Sequence, residues 1–172
     1  MNLAKMRVLV VDDHAFTRLL FKEVLQSLGC AVENLFEAED GKAALALLAD
    51  TKVDLIFCDW QMQPMDGLTF MRSLRDPEKS ANPYVPVVFC SAYTERDLII
   101  RARDTGVTEI MTKPITAKAI EAKVLSVMKN PRVFVESTQY FGPDRRRRAA
   151  NGPMPVDRRN RGQSAPAPRK PQ

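Results

Sequence analysis

Val53-Asp54-Leu55-Ile56-Phe57-Cys58-Asp59-Trp60 is an apolar run that ends abruptly on a carboxylate. It is too short for an independent helix and lies between a polar segment and a turn containing proline and glycine, so it reads as a strand buried on both faces. Asp59 stands at its C-terminal end. In an open parallel sheet ligands bind outside the carboxyl ends of the strands, which places this acid for chemistry rather than packing. A solitary aspartate at such a point would read as a helix cap or a turn residue. Asp59 is not solitary.

Upstream, residues 6–11 repeat the buried-strand pattern and end on Asp12 and Asp13. Phe16, Leu19, Leu20, Val24 and Leu28 then recur at helical spacing, with Asp13 or its neighbour as the expected cap and Gly29 as the stop. A second strand is expected from Ala31-Val32 and Leu35-Phe36, followed by a helix entered through Asp40-Gly41. Downstream of Asp59, a helix starts near Asp66-Gly67, and Val87-Val88-Phe89-Cys90 forms a strand ending on Ser91. Thr94 is expected to cap the next helix, residues 107–111 make a fifth strand that delivers Lys113, and Thr116 opens a last helix closed by Asn130-Pro131. Five strands alternating with five helices define an α/β, doubly wound parallel sheet in three layers. Right-handed crossovers put the C-terminal ends of all strands on one edge.

The chain has 172 residues, of which 45% are hydrophobic, enough for one cored domain and a tail. No apolar run approaches the about 18 residues of a membrane span, so the expectation is a cytoplasmic monomer. Its three cysteines have no metal-ligand spacing, which argues against zinc and disulfide frameworks. The net charge of +5 is unevenly divided: residues 1–130 carry 16 Lys/Arg against 18 Asp/Glu, whereas residues 131–172 carry 10 against 3. A mildly acidic domain, 1–130, is thus joined to a basic arm, 131–172, whose charge implies an anionic partner.

The sheet edge collects Asp12, Asp13, Asp59, Ser91 and Lys113. Three converging carboxylates need a cation, and hard oxygen donors with room for water suit Mg²⁺. An amine and a small hydroxyl beside them complete a site for a phosphoryl group, with Asp59 as the nucleophile that forms an acyl phosphate. His14 reads as an exposed first-turn residue, and Trp60 as a residue that shields or lines the site.

These motifs, Val10-Val11-Asp12-Asp13, Asp59-Trp60 with Met65-Asp66-Gly67-Leu68, Ser91-Ala92 and Lys113-Pro114, resemble the CheY-type receiver domain of two-component response regulators over residues 5–129. The resemblance implies a flavodoxin-like fold with strand order 2-1-3-4-5 and no catalysis on a separate substrate. It further implies that Asp59 accepts phosphate from a histidine kinase. Asp13, Asp59 and the Gln61 carbonyl would hold Mg²⁺ with Asp12 assisting through water, Ser91 would be the switch hydroxyl, and Lys113 would contact the phosphate. Two positions depart from the family: Ile110 stands where an aromatic switch precedes the lysine by three residues, and Gln63-Pro64 stands where proline follows the phosphoacceptor by four.

From Gly142 onward the tail has no helix or strand period, and its Arg, Pro and Gly content predicts disorder until a ligand binds. Val133-Phe134-Val135 is expected to add a short strand or cover the domain. Within the arm Asp144-Arg145-Arg146 recurs as Asp157-Arg158-Arg159, 13 residues on, which suggests a ligand with two similar halves. Arginine takes the O6/N7 edge of guanine, aspartate accepts from its N–H groups, and neighbouring arginines stack on bases or pair with phosphates. A guanine-containing phosphodiester with two-fold symmetry satisfies this pattern. Two other readings remain, a solvated extension and a general polyanion or anionic-membrane binder.

The module Tyr140-Phe141-Gly142-Pro143-Asp144-Arg145-Arg146-Arg147-Arg148 beside such a domain is similar to the arginine-rich extension of the Cle proteins, CheY-like effectors of cyclic di-GMP. That resemblance implies binding of an intercalated cyclic di-GMP dimer by Tyr140, Asp144, Arg145, Arg146, Arg147, Arg148, Asp157, Arg158 and Arg159. Docking on the flagellar motor switch protein FliM, with recruitment to the motor, would follow.

Overall fold

The computed structural model describes residues 3–92, 96–137 and 140–144. The expected cap Thr94 and the tail residues Arg145, Arg146, Arg147, Arg148, Asp157, Arg158 and Arg159 lie outside them. In chain order the elements are β1 (Val8–Val11), α1 (Ala15–Ser27), β2 (Leu35–Ala38), α2 (Gly41–Asp50), β3 (Leu55–Asp59), α3 (Gly67–Leu74) and β4 (Val87–Ser91). They continue with α4 (Arg96–Asp104), β5 (Glu109–Thr112), α5 (Ala117–Lys129), β6 (Phe134–Ser137) and β7 (Tyr140–Pro143). Strands β1 to β5 form one parallel sheet of order β2-β1-β3-β4-β5.

The near-continuous apolar sequence of β1, β3 and β4 follows from burial on both faces, because each alternate residue enters a different core. Leu9, Val11, Ile56, Cys58, Val87 and Phe89 pack under Ala44 and Leu48 of α2, Phe70 and Leu74 of α3, and Ala102 of α4. Val8, Val10, Leu55, Phe57, Val88 and Cys90 face the other way, onto Phe21 and Leu25 of α1 and Ile120 and Val124 of α5.

Local chemistry sets most boundaries as expected. The Asp40 carboxylate accepts from the Lys42 and Ala43 amides at 2.6 and 2.8 Å, Asp66 accepts from Thr69 at 2.7 Å, and Thr116 accepts from Ala119 at 3.2 Å. Gly29 and Gly106 adopt φ +98° and +86°, a region open chiefly to glycine, and end α1 and α4.

His14, the neighbour of Asp13, occupies the cap position of α1 as the sequence allowed, and makes no side-chain cap bond. Two details differ from the sequence expectation. The second strand begins only at Leu35, because Val32–Asn34 winds into a 3₁₀ turn that exposes Val32. The strand reading also extends further into the arm: β6 and β7 pair antiparallel through Pro143, one residue beyond the point where periodicity ends. What β7 lacks in sequence alternation it gains from its partner strand and from the domain surface.

Candidate functional site

At the carboxyl ends of the strands lies a crevice of about 810 Å³, lined by Asp13, Asp59, Gln61, Ser91 and Lys113 with Trp60 and Met62 along its wall. Chain topology alone brings these residues together: Asp12 follows β1, Asp59 ends β3, Ser91 ends β4, and Lys113 follows β5. Adjacent parallel strands in register place Asp59 opposite Cys90 and Ser91 opposite Thr112, and the Lys113 amide donates to the Ser91 carbonyl at 2.8 Å.

Charge is concentrated at the floor. Asp12 is 1% exposed and Asp59 6%, and the Lys113 ammonium bridges them, 3.1 Å from Asp59 Oδ1 and 3.4 Å from Asp12 Oδ2. Burial pushes the Asp59 carboxyl above its ordinary range, and Lys113 reverses only part of that effect. Burial also opposes the charge on Lys113, but there the two carboxylates win and its pKa is raised. The difference in outcome is reasonable: Asp59 meets one cation and a repelling Asp12, whereas Lys113 meets two anions.

The second acid of the pair is oriented differently. Asp13 faces solvent and the crevice, with its Oδ1 2.6 Å from Nδ1 of the exposed His14. Asp12 is held by the His14 amide, which donates to its Oδ1 at 2.9 Å, while Arg18 Nη1 donates to its main-chain carbonyl at 2.8 Å. Ligand atoms of Asp12, Asp13 and His14 lie within 4.8 Å of one another. Three carboxylates against one ammonium leave net negative charge, and hard oxygen donors at the mouth of an open crevice fit a divalent cation of the Mg²⁺ type.

Backbone geometry holds the Asp59 carboxylate still. Its Oδ1 accepts from the Trp60 amide at 2.8 Å, and the Trp60 ring stands edge-on to Phe89 at 5.3 Å. Gly67 donates its amide to the Trp60 carbonyl at 3.1 Å, and a Cβ added there would lie 2.5 Å from the Asp59 carbonyl oxygen. This glycine admits the start of α3 against the end of β3, a role that the sequence offered only as a helix-start signal.

The structure thus brings together Asp12, Asp13, Asp59, Gln61, Ser91 and Lys113, and places Tyr140 and Asp144 elsewhere. Those two sit in and after β7, whose Gly142 packs on Gly106 and whose Phe141 meets Tyr84, while Tyr140 lies near Arg75 and the Asp144 amide donates to the Val133 carbonyl. Arg75, Tyr84 and Gly106 belong to the connections that enter β4 and β5, so they mark the sheet edge opposite the crevice. Arg18 and Arg75 escaped the sequence reading because a charged residue on a helix or just after one is normally solvated, and no periodicity distinguishes one that folds back onto a backbone carbonyl. Ile110 is half-buried and packed against the α2–α3 side of the core.

A parallel α/β sheet whose strand ends present two or more acids, a hydroxyl and a lysine around one crevice has the donor set suited to handling a phosphoryl group. Residues 8–125 match the response regulator receiver domain, and the chain belongs to that family. It is 34% identical over 124 residues to chemotaxis protein CheY of Pseudomonas aeruginosa, covering 72% of this chain and 97% of that one. Chemotaxis protein CheY-3 of Vibrio cholerae is 34% identical over 119 residues, with 69% and 88% covered.

Among solved structures, the receiver domain of Francisella response regulator 1452 superposes with a TM-score of 0.63 at 28% identity, covering 71% of this chain and 95% of that one. Response regulator CheY4 of Vibrio cholerae gives 0.64 at 24%, with 71% and 98% covered, a likeness of fold. The arm beyond Lys129 lies outside the family match.

Proposed function

We propose that this protein is a cytoplasmic signalling effector with two inputs: a phosphoryl group on Asp59 from a histidine kinase, and cyclic di-GMP on the arginine-rich tail. In the first, an Asp59 carboxylate oxygen attacks phosphorus as the bond from phosphorus to the donor breaks. Lys113 Nζ and the Ser91 hydroxyl donate to phosphoryl oxygens, and Trp60 limits water at the acyl phosphate. Asp12, Asp13, Asp59 and the Gln61 carbonyl would hold Mg²⁺, which supplies positive charge to the phosphoryl oxygens when bound. The contact that carries this reading is the Lys113–Asp59 pair at 3.1 Å inside an acidic crevice. Phosphorylation by a small-molecule phosphodonor, present in the native chain and absent in Asp59→Asn, tests it.

The second input rests on the repeated Asp-Arg-Arg of the tail, in which arginines pair with phosphate and guanine edges and aspartates accept from guanine N–H groups. Ordering of the tail around the dinucleotide then presents a surface to the flagellar motor switch protein FliM, the step that recruits the protein to the motor. Ile110 supports this division of labour, since an aliphatic residue packed on the core cannot act as an aromatic switch.

Calorimetric titration of cyclic di-GMP into the full chain and into a chain ended after Asp144, at two salt concentrations, tests the tail. Binding by the full chain alone, with more than one dinucleotide per protein and loss of affinity in Asp144→Asn/Asp157→Asn, is the expected result. A polyanion binder would instead bind better after those substitutions, with steep salt dependence.

A further inference from the structure

The first half of the tail module is already occupied. Tyr140 donates its hydroxyl to the Pro143 carbonyl at 2.8 Å, the Asp144 amide donates to the Val133 carbonyl at 2.7 Å, and Gly142 and Pro143 are buried. A Cβ added to Gly142 would lie 2.6 Å from the Tyr140 hydroxyl and 2.8 Å from the Gly106 Cα, so this strand fits its seat only through glycine. Phe134 and Phe141 complete the contact by closing edge-on against Tyr84, at ring separations of 5.3 and 5.1 Å.

Under the hairpin lies Arg75, 5% exposed, with the Phe134 ring 5.1 Å from its guanidinium carbon. Its Nε donates to the Gly106 carbonyl at 3.0 Å and its Nη1 to the Pro83 carbonyl, but Nη2 has no hydrogen-bond partner and no carboxylate pairs with it among the described residues. Burial depresses its pKa to about 10. Covering a guanidinium without a counter-charge costs the docked state free energy that hydration returns on release. A two-stranded ribbon of four-residue strands is also marginal by itself. The docked hairpin therefore holds a desolvation cost that its release would remove.

Resting on the cyclic di-GMP reading of the tail, we infer that Tyr140–Pro143 has two mutually exclusive partners, its seat on the domain and the dinucleotide. A compact dianion that takes Tyr140 and Asp144 competes for a ring that lies over Gly142 and for a residue whose amide is held by the Val133 carbonyl. Binding lifts the hairpin, rehydrates Arg75 and bares Tyr84, Phe134 and Phe141. An aromatic and cationic surface, far from Asp59, then exists only in the liganded protein.

Two substitutions loosen the hairpin without touching the Tyr140–Arg148 module: Tyr84→Ala from the domain side and Phe134→Ala from the arm. In the full chain each is expected to tighten cyclic di-GMP binding by about threefold to tenfold, because apparent affinity is reduced by the fraction of competent molecules. Amide exchange of 134–137 and 140–142 should quicken in either variant without ligand, and that of 134–137 should quicken in the native chain when cyclic di-GMP saturates. Unchanged or weaker binding in both variants, or exchange of 134–137 slowed by the ligand, overturns the inference while leaving the ligand reading standing. Heat from neither the native chain nor the variants overturns both, even where exchange shows the hairpin loosened.

Discussion

Replacing Lys113 by methionine removes the cation that joins two buried carboxylates while keeping most of the apolar stem. At 3.1 and 3.4 Å, each contact is worth about 5 kcal/mol of bare attraction at an effective dielectric of about 20. The Lys113 side chain is one quarter exposed, so lost hydration and solvent screening take back most of that. A net destabilisation of about 2 kcal/mol at pH 7 in metal-free buffer is expected, between the ~0–1 of a surface pair and the ~3–5 of a fully buried one.

Urea unfolding at pH 7 and pH 4.5, with and without Mg²⁺, checks the sign as well as the size. The Asp59 carboxyl is raised by burial, so it takes up a proton early as pH falls. Its attraction to Lys113 in the native chain and its repulsion of Asp12 in the variant then both fade, and the difference between the two proteins shrinks. Mg²⁺ should restore part of the loss by replacing the missing positive charge. Equal stability of the two proteins at pH 7, or a loss indifferent to pH and metal, would refute the proposed electrostatic coupling of this crevice.

Gly67→Ala forces a methyl group into backbone 2.5 Å away and is expected to cost about 1–3 kcal/mol in denaturant titration, with slower phosphorylation because the Asp59–Trp60 segment must shift. Asp40→Ala strips two amides of their acceptor at the start of α2 and should cost about 1–2 kcal/mol by thermal unfolding. On β5, burial opposes the charge on Glu109, but Lys123 at 2.8 Å and the Ser126 hydroxyl outweigh it and lower the pKa. Because the folded value is the lower one, this stabilisation is present above the ordinary glutamate range of about 4.3 and disappears as pH falls through the folded value. Lys123→Met should accordingly flatten the acid limb of a stability-versus-pH curve.

The sequence by itself determined the elements that rest on short-range rules. Two-faced burial makes β1, β3 and β4 unbroken apolar runs, Asp40, Asp66 and Thr116 announce their helices, and each strand's last residues declare what the sheet edge carries. From these, the candidate crevice with Asp12, Asp13, Asp59, Ser91 and Lys113 is legible, because a parallel sheet with right-handed crossovers leaves no other place for its strand ends.

Only the tertiary structure decided what depends on distant contacts. That Lys113 spans Asp59 and Asp12, 101 residues away, that Gly67 is pressed against the Asp59 carbonyl, and that Tyr140–Pro143 folds onto Gly106 above an uncompensated Arg75 leave no trace in local periodicity. Arg75 looks in sequence like any cation after a helix. It becomes a buried charge because the Gly106 and Pro83 carbonyls draw it inward and the Phe134 ring of the arm lies over it, contacts that come only from tertiary packing.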